Sequence, residues 1–208
     1  MTLKISSKES SKIKEYSIQE FEEFFGLTYL KQLTFSDWRT EQSIRKKCRS
    51  AEKKRKIHPF SRWLGTYHFK ELTQHMIPPV AIQWINEEIG YGLFSTKPFK
   101  QWQYIGEYTG VLRRRSLFFP NTNRYCFMYP REWISTHAYT IDSKKQGNYT
   151  RFINHDDSPN CESIAVYCQG LFHILLRTIK TISSGEELTY DYGNGYWRNR
   201  KKFQGKRL

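Results

Sequence analysis

The residues of this chain offer little to the familiar hydrolytic chemistries. No Gly-x-Ser-x-Gly elbow is present to expose a serine nucleophile. There is no His-Glu-x-x-His pair and no His/Cys set at zinc spacing, and Cys48, Cys126, Cys161 and Cys168 include no Cys-x-x-Cys. His155, Asp156 and Asp157 are adjacent, but neighbours on an extended chain point to opposite faces and make a poor shared metal site, so no metal is expected. Ile89-Gly90-Tyr91-Gly92 lacks the third glycine of a dinucleotide fingerprint, and no helical pattern follows it. What remains is distributed: Gly90-Tyr91-Gly92, Tyr104 to Tyr108, Tyr125-Cys126-Phe127, Arg151 to His155, and Gly185 to Gly193. Singly these segments are ordinary, since a strand tyrosine is most often core and Asn-His before acids is most often a turn. Their order and spacing together are specific.

The run RFINHD, then SPNC, with GEELTYDYG starting about 30 residues after Asn154-His155, resembles the signature of the SET domain of protein-lysine methyltransferases. The GYG turn and the YIGEYTG strand lie upstream where that family has them, and the resemblance covers about residues 80–195. The finer pattern, PPVAIQWIN, YIGEYTGVLRRR and YCFMYP, is similar to the compact chlamydial SET proteins of the nuclear-effector group, in which a helical leader precedes the core. The resemblance implies an α+β, mainly β fold. Several small antiparallel sheets would carry a C-terminal pseudoknot, preceded by a helical N-terminal region. True knots are rare, and this threading would bring Asn154 and His155 beside Tyr190 and Tyr192. The chain also departs from the family. Asp156 and Asp157 stand where many members have serine and cysteine, no cysteine cluster precedes the core, and no Cys-x-Cys follows Gly193. Tyr196 and Trp197 are then left either to close the site against an adenine or to pack as a simple tail.

The implied reaction is in-line methyl transfer from S-adenosylmethionine to a lysine amine. Deprotonating a lysine of pKa about 10.4 at pH 7 costs roughly 4–5 kcal/mol. Burial in a narrow apolar channel lowers that pKa, as does a neighbouring sulfonium, so no strong general base is required. Tyrosines suit such a channel as rigid walls, as cation-tolerant faces and as hydroxyls that orient an amine. By resemblance, Tyr192 carries the hydroxyl nearest the transferring methyl and Tyr108 lines the lysine channel. Tyr190 sits where the family often has Phe in enzymes reaching higher methylation states, which suggests mono- or dimethylation here. Gly90 and Gly92 would let the backbone approach the cofactor, with Tyr91 between them. Asn154 and His155 would hold its amino group and adenine edge, with Tyr125 and Trp197 packing on it. Glu107 reads as structural, and Arg151 as either a cofactor-side or a packing residue.

These residues need elements to position them. From Pro78-Pro79 onward the pattern predicts strands at 80–85, 104–108, 125–129, 139–141, 164–168 and 171–177, separated by glycine turns. No helical pattern alternates with them, so a mostly antiparallel, multi-sheet domain is expected over 77–195. Residues 1–76 read as a helical, basic region. Ser17-Ile18-Gln19-Glu20 is a capping box, with Gly26 as the stop. A second helix starts near Ser36 or Asp37 with a stripe of Trp38, Ile44, Cys48 and Ala51, ended by His58-Pro59. A third, over 61–68, would pack Trp63 and Leu64. Residues 196–208 form a basic tail.

Composition bounds the partners. The 208 residues hold 34 Lys+Arg against 20 Asp+Glu, a formal charge of +14, which favours polyanions. Lys53-Lys54-Arg55-Lys56 resembles a nuclear-import or nucleic-acid patch, or else the solvated face of a helix. Mean hydropathy of -0.74, with no apolar run near 18 residues, excludes a membrane-spanning helix. No apolar stretch of roughly 7–15 residues follows Met1-Thr2-Leu3-Lys4, so no cleaved secretory signal is expected. The expected partner is a histone or histone-like substrate. DNA or nucleosome contact would run through the basic clusters, in the bacterial cytoplasm or, by resemblance, in the nucleus of a host cell. The reading from another class is a catalytically silent SET scaffold that binds nucleic acid or chromatin.

Overall fold

The computed structural model describes residues 1–115, 123–130 and 139–197. In chain order these form β1 (Thr2–Ser7), β2 (Ser10–Ser17), α1 (Ile18–Phe25), β3 (Thr28–Tyr29), β4 (Thr34–Phe35), α2 (Trp38–Lys53), α3 (Pro59–Tyr67) and α4 (Phe69–Gln74). Then come β5 (Val80–Asn86), β6 (Gly90–Ser95), β7 (Tyr104–Glu107), β8 (Val111–Arg114), β9 (Cys126–Met128), β10 (Tyr139–Asp142) and β11 (Gln146–Gly147). A 3-10 turn (Tyr149–Phe152) leads to β12 (Asn154–His155), β13 (Cys161–Cys168), β14 (Leu171–Thr178), β15 (Thr189–Tyr190) and α5 (Asn194–Trp197). The basic tail from Arg198 to Arg207 lies outside the described residues.

Several small sheets result, ordered β2-β1-β5-β6, β4-β8-β10-β9, β11-β3 and β12-β15-β13-β14-β7. Within the core the neighbours are mostly antiparallel hairpins. The longest, β13–β14, turns at Gln169 and Gly170, both with positive φ (49° and 78°), the geometry that matches the twist of paired strands. The N-terminal strands join differently. β1 lies parallel to β5, β3 to β11 and β4 to β8. Parallel pairing needs a long connection, which a leader distant in sequence supplies.

The leader carries four helices between Ile18 and Gln74, with the two-residue strands β3 and β4 between the first two, but its first seventeen residues are a β-hairpin that the sequence did not suggest. β2 is almost wholly exposed and shows no apolar alternation, so period-2 reasoning misses it; Leu3 and Ile5 of β1 enter the apolar core, and Tyr16 of β2 packs against it. α1 is as expected: Ser17 and Glu20 exchange both capping-box bonds, and Gly26 closes the helix at φ 61°. α2 buries Ile44, Cys48 and Ala51, but Trp38 is 71% exposed and Thr40 takes its place. His58-Pro59 does not end α2, which stops at Lys53. Pro59 is instead the first residue of α3, where its missing N–H costs nothing, and His58 caps it through Nδ1. Leu64 packs inward as expected, whereas Trp63 is 54% exposed. Gly65 allows α3 to rest directly on β13, because a Cβ there would run into the Tyr167 carbonyl.

One apolar core runs from Leu3 to Tyr190, with a satellite of Leu64, Leu72, Val166, Cys168 and Leu175 under α3 and α4. Inside the core β7 and β14 are tied by Glu107 and His173, 2.7 Å apart. The other ring nitrogen of His173 faces the Cys168 carbonyl at 3.2 Å.

Candidate active site

Strands β6, β12 and β15 bring the motif residues together. β15 lies between β12 and β13, parallel to both, with Asn154 opposite Thr189, His155 opposite Tyr190, and Cys161 opposite Tyr190. Two strands that are close in sequence are thus parted by the C-terminal segment, the pseudoknot expected from the resemblance. Asn160, 4% exposed, clasps that segment: its amide donates to the carboxylate of Glu186 (3.1 Å) and the Glu187 carbonyl (2.7 Å), and its oxygen accepts from the Thr189 N–H (2.9 Å).

Asn154 donates to the Tyr91 carbonyl (3.2 Å) and to the Glu187 carboxylate (2.9 Å). Gly92 makes this convergence possible, since a Cβ there would meet Ile85, Glu187 and Asn154 at 2.7, 3.0 and 3.1 Å. Gly90-Tyr91-Gly92 is the opening of β6 rather than a turn; only Gly90, at φ 84°, belongs to the bend, whose backbone is held by the Asn86 side chain. The Tyr91 ring packs away from Asn154, among Phe24, Phe25, Trp84 and Phe152. Its carbonyl alone faces that side chain. Phe25 also lies 4.6 Å from Phe152, so α1 braces both motif segments from below.

The Nδ1 of His155 accepts from the Tyr192 N–H (3.2 Å), which puts the ring proton on Nε2, facing Asp157 at 3.1 Å. From there an aromatic wall runs through the site. Trp197 lies 4.8 Å from His155 and stacks parallel to Tyr192 at 6.3 Å, with Tyr196 between at 4.6 Å from Tyr192. Tyr192 sits 4.8 Å from Tyr190, Tyr190 stacks on Phe127, and Phe127 is 5.2 Å from Tyr108. Burial drives the Tyr108 and Tyr190 hydroxyls well above the ordinary phenol pKa, so both are neutral. Tyr192 donates its proton to the Ile153 carbonyl (2.9 Å), and Tyr108 donates to the Tyr125 carbonyl (2.8 Å). The Arg151 guanidinium lies 3.9 Å over the Tyr125 ring. Among the described residues, the buried Nε of Arg151 and the indole N–H of Trp197 have no hydrogen-bond partner.

A model of the SET domain family matches residues 90–193, half of the chain. The chain belongs to the SET domain family. Among its relatives, the N-lysine methyltransferase KMT5A-A of Danio rerio is 34% identical over 113 residues, covering 50% of this chain and 33% of that protein. The histone-lysine N-methyltransferase 2B of Homo sapiens is 33% identical over 109 residues, 50% of this chain and 4% of that protein. The crystal structure of the Chaetomium thermophilum polycomb repressive complex 2 superposes with a TM-score of 0.53 at 26% identity, over 64% of this chain and 17% of that one. The SET chain here therefore spans about a third or less of the length of these relatives.

Of the ten residues singled out by sequence, Gly90, Tyr91 and Gly92 open β6, Asn154 and His155 form β12, Tyr190 ends β15 with Tyr192 just after it, Trp197 ends α5, and Tyr108 and Tyr125 stand immediately after β7 and before β9. Sequence reasoning gave no part to Glu187, Asn160 or the Ile153 carbonyl. Glu187 and Asn160 lay within the quoted motifs, so the signal was present. The Ile153 carbonyl is a backbone group, whose direction no residue type announces.

Proposed function

We propose that the protein is an S-adenosylmethionine-dependent protein-lysine methyltransferase acting on histones or histone-like basic proteins. The observation that carries this reading is the joining of Asn154-His155 to Tyr190 and Tyr192 by the inserted strand β15. The relatives are named lysine methyltransferases, which supports the same class. The glycine-opened approach at Gly92 and the unpartnered indole N–H of Trp197 fit a bound nucleoside, with Asn154, His155, Tyr125 and Trp197 as the residues to hold it. When bound, S-adenosylmethionine supplies an electrophilic methyl group. The chain supplies the rest. Neutral Tyr108 and Tyr190 would wall the lysine and keep out bulk solvent, which favours the uncharged amine. Tyr192 donates its proton to the Ile153 carbonyl, so towards an amine N–H or a polarised methyl its oxygen would act as an acceptor.

The basic cluster Lys53-Lys54-Arg55-Lys56 would contact nucleic acid, bringing a protein of charge +14 to the basic substrate that coats that nucleic acid. The similarity to the chlamydial nuclear-effector group supports action in a host nucleus, with the bacterial cytoplasm as the alternative. The test is incubation with labelled S-adenosylmethionine and a panel of histones, free and nucleosomal. Label on lysine is expected, with Tyr192→Phe losing about 3–4 kcal/mol of barrier stabilisation while keeping the fold. No labelling by the parent, or unchanged turnover in the variant, would overturn the reading in favour of a silent chromatin-binding scaffold.

A further inference from the structure

The outer face of α3 carries three aromatic rings in line. Phe60, Trp63 and Tyr67 are 43%, 54% and 62% exposed, and recur at i, i+3 and i+7 along one side of the helix. Phe60 and Trp63 stack at 5.7 Å and 17°, Trp63 and Tyr67 at 5.3 Å and 24°. Leu64 and Gly65 already hold α3 on β13 from the other side, so the fold does not need this ladder. Trp102, 47% exposed, widens the patch. The Arg177 guanidinium lies 4.6 Å from its ring and 5.8 Å from that of Phe60. The chain enters α3 from Lys53-Lys54-Arg55-Lys56, a turn in which Arg55 takes φ 53° and buried Ile57 anchors the exit. All four cations are exposed, and among the described residues none joins an ion pair.

We propose that this turn and the α3 ladder form one docking surface for single-stranded nucleic acid, the cations holding phosphates and the rings stacking unpaired bases. The proposal rests on reading the Lys53–Lys56 cluster as a nucleic-acid contact, and it is independent of methyl transfer. Charge selects the occupant: a second copy of a +14 chain would bring like charge to this face, whereas a polyanion matches it. The rings then select the kind of polyanion. A duplex hides its base faces and could use only the cations, whereas base–aromatic stacking beside a basic track is how unpaired strands are held.

The test is fluorescence anisotropy of labelled oligo-dT, oligo-U and a DNA duplex of equal length, titrated with the full chain across a salt series. Single strands should bind more tightly than the duplex. Trp63→Ala should weaken single-strand binding about tenfold without altering the salt slope, and Trp63→Phe should restore most of it. Glutamine at 53–56 should flatten the slope by up to about three units. Tyr192→Phe should bind oligonucleotides as the parent does, whatever becomes of its activity, so failure here is separable from failure of the methyltransferase reading. Equal binding by Trp63→Ala and the parent overturns the proposal, as does preference for the duplex. Self-association or histone binding that depends on Trp63, with oligonucleotide binding that does not, overturns it in favour of a protein interface.

Discussion

Asn154 has two acceptors within reach, the Tyr91 carbonyl and the Glu187 carboxylate, and both lie on segments far from it in sequence. Its side chain is therefore oriented before any ligand arrives, which limits the cost of ordering on binding. Replacing it with alanine should weaken binding of the demethylated cofactor product by roughly 1–3 kcal/mol, more than it weakens substrate binding. Calorimetric titration measures this directly, and unchanged affinity would remove Asn154 from cofactor recognition. Tyr190 is the second informative position. It is 7% exposed, and among the described residues its hydroxyl has no hydrogen-bond partner. Such a hydroxyl can hold solvent in the space a methylated amine would need, and displacing well-bonded water costs affinity. The expected product is mono- or dimethyl-lysine, with Tyr190→Phe shifting it upward. Mass spectrometry decides: abundant trimethyl-lysine from the parent, or no shift in the variant, contradicts this role.

Among the elements, the contact between β7 and β14 has its own pH dependence. Burial opposes charge on His173, but the Glu107 carboxylate 2.7 Å away and the Cys168 carbonyl more than offset it, so the imidazole pKa stands above its ordinary value. A raised folded pKa means that the stabilisation is fully present below about pH 6.5, the unfolded value, and is lost as pH rises through the folded one. Urea midpoints should therefore fall with rising pH above about 6.5, and His173→Gln should remove that part of the decline. A parent whose midpoint is flat across this window would show that the pair carries no net proton uptake on folding. Because β14 also pairs with β13, the loss should loosen the sheet that holds β15 in place.

Across the whole molecule, the leader is part of the site's support. α1 places Phe24 and Phe25 against Tyr91, and Phe25 also against Phe152, so two motif segments separated by some sixty residues share one aromatic brace. Phe25→Ala should cost about 2–3 kcal/mol of stability, because the ring is only half-buried. It should also weaken cofactor binding, although Phe25 touches none of the polar groups assigned to the cofactor. A stability loss with unchanged cofactor affinity would confine α1 to the fold.

Sequence alone determined the local features. The Ser17–Glu20 capping box and the Gly26 stop are short-range chemistry, legible wherever they occur. Strands β5, β7, β9, β10, β13 and β14 of the SET core were legible because apolar runs such as 171–177 leave little choice of partner face, whereas β6, read as a turn, and β8, β11, β12 and β15 were not. The motif residues were legible by order and spacing. What the tertiary structure decided was everything that depends on a distant partner. β2 is polar and exposed, and becomes a strand only because β1 offers it an edge. Trp38 and Trp63 fit an apolar stripe on paper but face outward, because Thr40 and Leu64 sit closer to the line of contact with the sheets. The insertion of β15 between β12 and β13, and with it the meeting of Asn154 with Glu187 and of Tyr192 with Ile153, comes from threading the chain. Backbone hydrogen bonds across a thread depend on register between remote segments, and residue type carries no record of that.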